Sequence, residues 1–385
     1  GDGVSYRLIK QLKYEILEPL TWIVNMSITT GRFPQQWKNA KIVPVFKKKG
    51  SKLNPNSYRP IALTSSLGKV LERVVRNQVQ LHLEEKAILP DCMHGFRKSR
   101  GTVTAIMEVL DRVKVAKGKG LKVMLVALAA TAAFDLINRP LLIEKLKIIG
   151  AGPTTCNWFR NYLDQRTSQV VIEDKVSNMW TSDTGVIQGG GISPDCYNIA
   201  SLSQPLYLAR VVPDADDVQY ADDGITIITG VTQQECEEKA QKVADRLSDW
   251  FLSVGLKLNI KKSELMGFGF TPRPITIGGE VIHASSMIKF LGCNIQSSLK
   301  WNVQVQSVAR NIRFCASKIR QEGMHLTVKE RRILYCAWVN GQILANGLTY
   351  LPWLNKEQVQ TLQRACNSAT RAVIGLPRRS RHSIT

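Results

Sequence analysis

Two adjacent carboxylates, Asp222 and Asp223, interrupt an otherwise apolar stretch over residues 218–229, with Tyr220-Ala221 before them and Gly224 after. Neighbouring like charges repel, and burial raises the cost, so the chain has to turn there or supply a cation. A pair of Mg²⁺ ions is the candidate counter-charge, because hard cations choose oxygen ligands and often share them with substrate phosphates. A hairpin whose Asp-Asp-Gly turn leaves both carboxylates in water accounts for the same residues. The pair by itself leaves both readings open.

Composition narrows the choice. At 385 residues, 44% of them hydrophobic, the chain can bury a large core in two or three subdomains. No apolar run approaches the roughly 20 residues that span a bilayer, and no signal pattern opens the chain. The sequence therefore reads as soluble and intracellular, without a membrane partner. It opens at Gly1-Asp2-Gly3 with no initiator Met and enters a helical pattern at once, as expected of a piece of a longer polypeptide. Eight cysteines lack a CxxC pair or a neighbouring histidine pair, the pattern of free thiols and not of a zinc site.

Net charge is +21, and its placement matters. Residues 41–100 carry 13 Lys and Arg against 4 Asp and Glu, and residues 301–385 carry 13 against 3. Two basic regions flanking a near-neutral centre suit a polyanion held from two directions, with a salt-dependent affinity. A basic surface that only keeps the chain soluble is the plainer account.

Periodicity organises the rest. Helical stripes are expected from residue 6 to 20 and over 64–88, the latter through Leu67, Val70, Leu71, Val74, Val75 and Val79. Residues 40–46 read as a strand, 47–52 as a basic turn, and 90–102 as a loop. The continuous apolar run 123–130 suits the middle of a sheet. Helices are expected at 140–149 and 154–166, strands at 169–172 and 180–187, and a helix near Pro194 after Gln188-Gly189-Gly190-Gly191. A helix over 233–254, short strands near 256–258, 264–268 and 287–295, and a mostly helical remainder beyond Trp301 complete the pattern.

The order of these segments resembles the reverse transcriptase domain of non-long-terminal-repeat (LINE-type) retrotransposons over nearly the whole chain. The resemblance is carried by Trp37-Lys38-Asn39-Ala40-Lys41-Ile42-Val43-Pro44-Val45-Phe46, Asn56-Ser57-Tyr58-Arg59-Pro60-Ile61-Ala62-Leu63 and Gly95-Phe96-Arg97. It continues through Ala132-Ala133-Phe134-Asp135, Gly185-Val186-Ile187-Gln188-Gly189, Tyr220-Ala221-Asp222-Asp223, Gly255-Leu256-Lys257-Leu258-Asn259 and Phe290-Leu291-Gly292. Ile187 stands where that family has proline, and Gly189-Gly190-Gly191-Ile192-Ser193-Pro194 is more similar to group II intron enzymes. The resemblance implies an α+β right-hand polymerase with an antiparallel palm sheet, fingers and a helical thumb. It places fingers in 1–120, palm with part of the fingers in 121–297, and thumb in 298–385. It further implies an RNA-directed DNA polymerase acting in the nucleus with two Mg²⁺ ions, extending a DNA or RNA primer on an RNA template with dNTPs. Oligomeric state is not implied.

Site roles follow from the same resemblance. Asp222 and Asp223 would hold metal together with an aspartate five residues before Phe134. That position is Ala129. The backbone carbonyl of Ala130 could still meet a metal, but the bridging carboxylate is missing, and Asp135 lies beyond its reach. Phe134 and the apolar run fix the register, so the alanine reads as a substitution, made or natural. Losing this ligand should slow turnover roughly a thousandfold or more, leaving a polymerase that binds and barely turns over. A silent nucleic-acid binder derived from such an enzyme is the other reading that Ala129 favours, whereas the bulk of Phe134 argues against an RNA-directed RNA polymerase.

Phe134 would lie under the sugar and exclude a 2′-hydroxyl. Arg59 and Lys48 would clamp the triphosphate, Gln188 would touch the nucleotide, and Gly189 would let backbone approach the template base. Lys262 is the candidate general acid for departing pyrophosphate. Phe290, Leu291 and Gly292 would support the primer terminus. Arg97, Lys98 and Arg100 would contact template backbone. Arg310, Arg313, Lys318 and Arg320 would lay a thumb helix along the duplex, extended by Arg378-Arg379-Ser380-Arg381.

Overall fold

The apolar run around residue 126 becomes the strand Lys122–Thr131 of a mixed α+β structure. The computed structural model describes residues 3–377, so the Arg378-Arg379-Ser380-Arg381 run lies outside the described residues. The chain divides into two units: residues 1–98, 129–213 and 245–259 form one, and 99–128, 214–244 and 260–385 the other.

In the second unit the sheet runs in the order Glu264–Gly267, Lys122–Thr131, Asp223–Gly230, Ala215–Tyr220. The first two strands pair antiparallel, as do the last two. Helix Thr102–Gly118 buries Ala105, Ile106, Val109, Leu110 and Val113 against Val123, Leu125, Val218, Ile225 and Ile227. Each fully buried aliphatic side chain contributes roughly 1.5–3 kcal/mol, an upper figure because the unfolded chain already hides some surface. The same core continues through Phe290 and Ile295 of the hairpin Met287–Phe290/Cys293–Gln296 into helices Asn302–Glu322 and Lys356–Val373. A reciprocal cap starts the last helix: Gln358 N–H donates to Asn355 Oδ1 at 2.9 Å and Asn355 N–H to Gln358 Oε1 at 3.0 Å.

In the first unit, Ala40–Phe46 pairs antiparallel with Tyr58–Leu63 and parallel with Thr167–Ile172. Helices Leu17–Thr30, Ser66–Glu85 and Pro153–Leu163 belong to this unit. Phe33 meets the rings of Trp37, Trp158 and Tyr162 edge-on at 5.1–6.2 Å. Such contacts add directional preference to simple burial.

Several expectations need correction. Over 180–187 only Trp180–Thr181 is strand. Gly185 adopts φ 76°, and the Gly185 and Val186 N–H groups donate to carbonyls of Ile137 and Phe134 at 2.8 Å, so backbone donors that a ladder would need serve a loop. The strand expected at 287–295 is two strands, reversing at Leu291-Gly292 with positive φ at both residues, as in a type I′ turn. Helices Thr102–Gly118 and Ser203–Val211 and the hairpin Ile275–Ile277/Glu280–Ile282 were not foreseen. Among the described residues no helix is long and apolar enough to cross a membrane. No disulfide joins any of the eight cysteines, all of which lie among the described residues.

Candidate active site

The acidic hairpin is built by register. Tyr220 pairs with Asp223, so the reversal consists of Ala221 and Asp222 alone. Ala221 takes φ 54° while Asp222 does not enter positive φ, the signature of a type II′ turn, whose first central position normally goes to glycine. The Asp-Asp-Gly turn considered from sequence is therefore absent, because Asp223 and Gly224 already belong to the strand. Both carboxylates face solvent. Nearby protein still displaces water from Asp223, which raises its pKa; the Asp222 charge raises it further and the Lys262 ammonium opposes the rise. Lys262, in the short turn Ile260–Lys262, is itself exposed.

The strand Lys122–Thr131 alternates in burial. Leu128 and Ala130 are buried, whereas Ala127, Ala129 and Thr131 share the more open face. Position 129 thus presents its methyl group where a carboxylate would meet solvent. Its carbonyl accepts from Asn259 N–H at 2.7 Å, next to the pairing of Ala130 with Leu258. Alternation directs the Ala130 carbonyl to the other edge of the strand.

In the first unit the candidate nucleotide residues come from three segments. Phe134 is half-buried, stacked on Tyr197 with ring centroids 5.1 Å apart and edge-on to Phe96 at 6.5 Å. Gln188 Nε2 donates to both carboxylate oxygens of Asp135, at 2.8 and 2.7 Å. Burial raises the Asp135 pKa and this contact opposes the rise. Ala62 N–H donates to the Gln188 carbonyl at 2.7 Å. Gly189 has φ 109°, and a Cβ there would lie 2.9 Å from the Ala62 carbonyl oxygen, so only glycine fits. Arg59 lies on the same strand as Ala62, opposite Val45, and Lys48 lies in the turn joining these strands; both are exposed.

Three expected nucleic-acid contacts are corrected. The Arg97 side chain is only 7% exposed, and its guanidinium is already engaged by both oxygens of Glu84 at 2.9 and 2.7 Å and by the carbonyls of Leu89, Pro90 and Met93. It shapes the loop from inside. Phe290 is 4% exposed and part of the core, leaving Leu291 and Gly292 at the turn, where Asn346 Nδ2 donates to the Leu291 carbonyl. Arg320 donates to the Ser368 carbonyl at 3.0 Å and ties two helices together. Arg310 and Arg313 are exposed on the same helix, and Lys318 pairs with Glu322 at 3.3 Å. Lys98 is exposed and Arg100 half-exposed.

Sequence reasoning missed the buried carboxylates Glu72, Asp195 and Asp217. Glu72 is fully buried on Ser66–Glu85, accepts from Gly191 N–H, and has its pKa raised by burial. Its helical phase with Gly68 and Val75 was the available signal, a charged residue on the apolar stripe. A Cβ on Gly190 would lie 2.7 Å from Ser193 Oγ and 2.9 Å from Tyr162 Oη, so the glycine turn rests on a polar floor. Asp217, on the first strand of the acidic hairpin, accepts from Gln219 and Thr226, and burial lifts its pKa to about 6.

Asp222 in the two-residue turn and Asp223 at the head of the following strand thus form one exposed acidic pair, with the Lys262 charge acting on Asp223. Residues 46–295 match the reverse transcriptase (RNA-dependent DNA polymerase) family. The chain belongs to that family, in its LINE-type branch, and its α+β fold is consistent with a right-hand polymerase. It is 26% identical to a probable RNA-directed DNA polymerase from transposon BS of Drosophila melanogaster, over 98% of this chain and 42% of that protein. It is 25% identical to the RNA-directed DNA polymerase from mobile element jockey of the same organism, over 81% of this chain and 35% of that one. The chain thus spans less than half the length of these relatives. Among solved structures it is similar to apo telomerase from Candida tropicalis, with 13% identity, TM-score 0.49, and coverage of 94% of this chain and 68% of that one.

This family generally uses a divalent metal. Asp222 and Asp223 fit one, since Mg²⁺ commonly takes one or two carboxylates and leaves its other positions to water and phosphate. Among the described residues no three His, Cys, Asp or Glu side chains gather to hold a metal.

Proposed function

We propose that this chain is the polymerase portion of a retroelement protein, extending a DNA or RNA primer on an RNA template with dNTPs. The observation that carries this is the two-residue turn presenting Asp222 and Asp223, with the Lys262 charge acting on Asp223. Two Mg²⁺ ions bound there would supply Lewis acidity to the reacting phosphate and lower the pKa of the primer hydroxyl. Lys262 would protonate the departing pyrophosphate. Phe134 would exclude a 2′-hydroxyl, Lys48 and Arg59 would hold the triphosphate, and Gly189 would admit the template base. Lys98 and Arg100, Leu291 and Gly292, and the exposed cations Arg310 and Arg313 with Lys318 would track the backbone of the duplex. Fingers, palm and thumb would occupy 1–120, 121–297 and 298–385.

Ala129 favours a second reading for this molecule, a nucleic-acid binder that no longer turns over. Primer extension with this chain and an Ala129→Asp variant, on dNTPs and then rNTPs, tests both. The expected result is extension with dNTPs alone and a rate roughly a thousandfold or more higher in the variant. Tight primer–template binding by both proteins with extension by neither would establish the silent binder. Failure to bind primer–template at moderate salt would overturn both readings.

A further inference from the structure

We infer that Gln80 is a positioning residue: it ties the Gly95-Phe96 loop to the helix after the glycine turn and so fixes the spacing of two segments that meet the template strand. This deepens the reading above, in which Gly189 admits the template base and Lys98 contacts the backbone, and it rests on that reading.

Helix Ser66–Glu85 carries Glu72, Arg76, Gln80 and Glu84 at every fourth position, a spacing that makes successive members neighbours on the helix surface. Each is engaged. Glu72 accepts from Gly191 N–H in the glycine turn. Arg76 Nε donates to Asp195 Oδ2 at 2.8 Å, and Gln80 Nε2 donates to Asp195 Oδ1 at 2.8 Å. Glu84 accepts from the Arg97 guanidinium. Asp195 is buried in the first turn of helix Ser193–Ser201, where a carboxylate without such donors would be costly. The stripe therefore grips the glycine turn, the helix that follows it and the loop at residue 97.

Gln80 reaches two of these segments at once. Its Nε2 also donates to the Phe96 carbonyl at 3.2 Å, so both amide hydrogens are used. Asn198 Nδ2, on helix Ser193–Ser201, donates to the Gly95 carbonyl at 2.9 Å. Phe96 has φ 62°, a conformation that a bulky residue keeps only where its surroundings hold it. The bonds to the Gly95 and Phe96 carbonyls clamp the peptide units on both sides of that residue. Lys98 follows two residues later and is exposed. Loop and glycine turn are thus referred to one helix, and loss of the Gln80 bonds frees Lys98 to shift relative to Gly189 while the Arg76–Asp195 pair stays closed.

Equilibrium binding of the templated dNTP and of a mismatched dNTP, to this chain on an RNA template with a dideoxy-terminated primer, reads that spacing. Gln80→Met keeps the side chain's length and the Arg76–Asp195 pair but removes both donors. It should cut the preference for the templated dNTP about fivefold, with primer–template affinity unchanged within about twofold. Gln80→Lys, whose ammonium can donate to the same two acceptors, should restore the preference, which it would not do if Gln80 served only as packing. Asp195→Asn, which exchanges one acceptor oxygen for a donor, should lose the preference too and carries the readout if Gln80→Met melts below the assay temperature. A folded Gln80→Met protein that keeps the preference, or a loss that Gln80→Lys does not repair, overturns the role of Gln80 and leaves the polymerase reading intact. If the unaltered chain binds primer–template but not the templated dNTP, that reading falls and this inference with it.

Discussion

Tyr220 lies directly across the ladder from Asp223, so a turn of two residues carries the whole reversal. Ala221 accepts φ 54° there although it has a Cβ. Ala221→Val should lower stability by about 1–2 kcal/mol, because a branched side chain at positive φ adds strain. Ala221→Gly should stay within about 0.5 kcal/mol, relief of strain being offset by a freer unfolded chain. Denaturant midpoints of the two variants check this; equal losses would show the turn is not strained.

Asp217 makes folding pH-dependent in a particular sense. Its folded pKa, about 6, is raised above the ordinary carboxylate value, so the native state holds its proton longer than the unfolded chain does. Stability from this group is present in acid and lost as pH rises toward and through about 6. Asp217→Asn should remove that slope, with a difference on the order of 2–3 kcal/mol between pH 4 and 7. Urea titrations of both proteins across that range measure it. Parallel pH profiles would contradict the burial of this carboxylate.

Arg97 should behave as a structural residue. Arg97→Ala removes the hydrogen bonds this side chain makes to Glu84 and to three carbonyls at once, a loss of about 2–4 kcal/mol. Lysine should not rescue it, because a single ammonium cannot replace a fork. Lys98→Ala should leave thermal stability unchanged. A stable Arg97→Ala protein with weakened RNA binding would restore the role expected from sequence.

The exposed cations of Asn302–Glu322 give a graded test. Arg310→Ala and Arg313→Ala should each weaken primer–template binding and reduce the salt slope by about 1, with melting unaltered. Arg320→Ala should instead lower the melting point, since it frees the Ser368 carbonyl. Binding isotherms from low to moderate salt, run beside melting curves, separate the two classes. An unchanged slope in Arg310→Ala would remove this helix from the nucleic-acid surface.

The glycine turn should tolerate almost nothing. Gly190→Ala would drive a methyl group to 2.7 Å from Ser193 Oγ and 2.9 Å from Tyr162 Oη, a cost of about 1–3 kcal/mol for overpacking. Gly341→Ala meets no atom within 4 Å at a helical φ of −56° and serves as the control that loses no stability under the same thermal melt. Equal melting points for the two would mean that the floor under the turn yields.

Much was legible in order and period. Residues 40–46 were read as the strand that forms, and residues 123–130 fell within one residue of Lys122–Thr131 at each end. Local pattern determines such elements, because an apolar run or stripe has few places to go. The alanine at position 129 and the acidic hairpin were equally plain, since spacing from Phe134 is a property of the chain alone. Helix Thr102–Gly118 escaped because its apolar residues are interspersed with polar ones and its N-cap, Gly101, offers no side-chain signal.

The fates of individual cations and carboxylates were decided elsewhere. A sequence shows that Arg97, Lys98 and Arg100 are basic, but only the folded loop shows Arg97 turned inward onto Glu84, a residue 13 positions away. Phe290 looked like a surface contact until the hairpin turned it into the core. Asp135 and Gln188, 53 positions apart, meet only when two loops are stitched side by side. Chemical type and local period are written residue by residue, so the chain itself specified its family, its paired aspartates and the alanine at position 129. Direction, burial and partnership depend on contacts distant in sequence, which exist only once the backbone has closed, and those were the work of the tertiary structure.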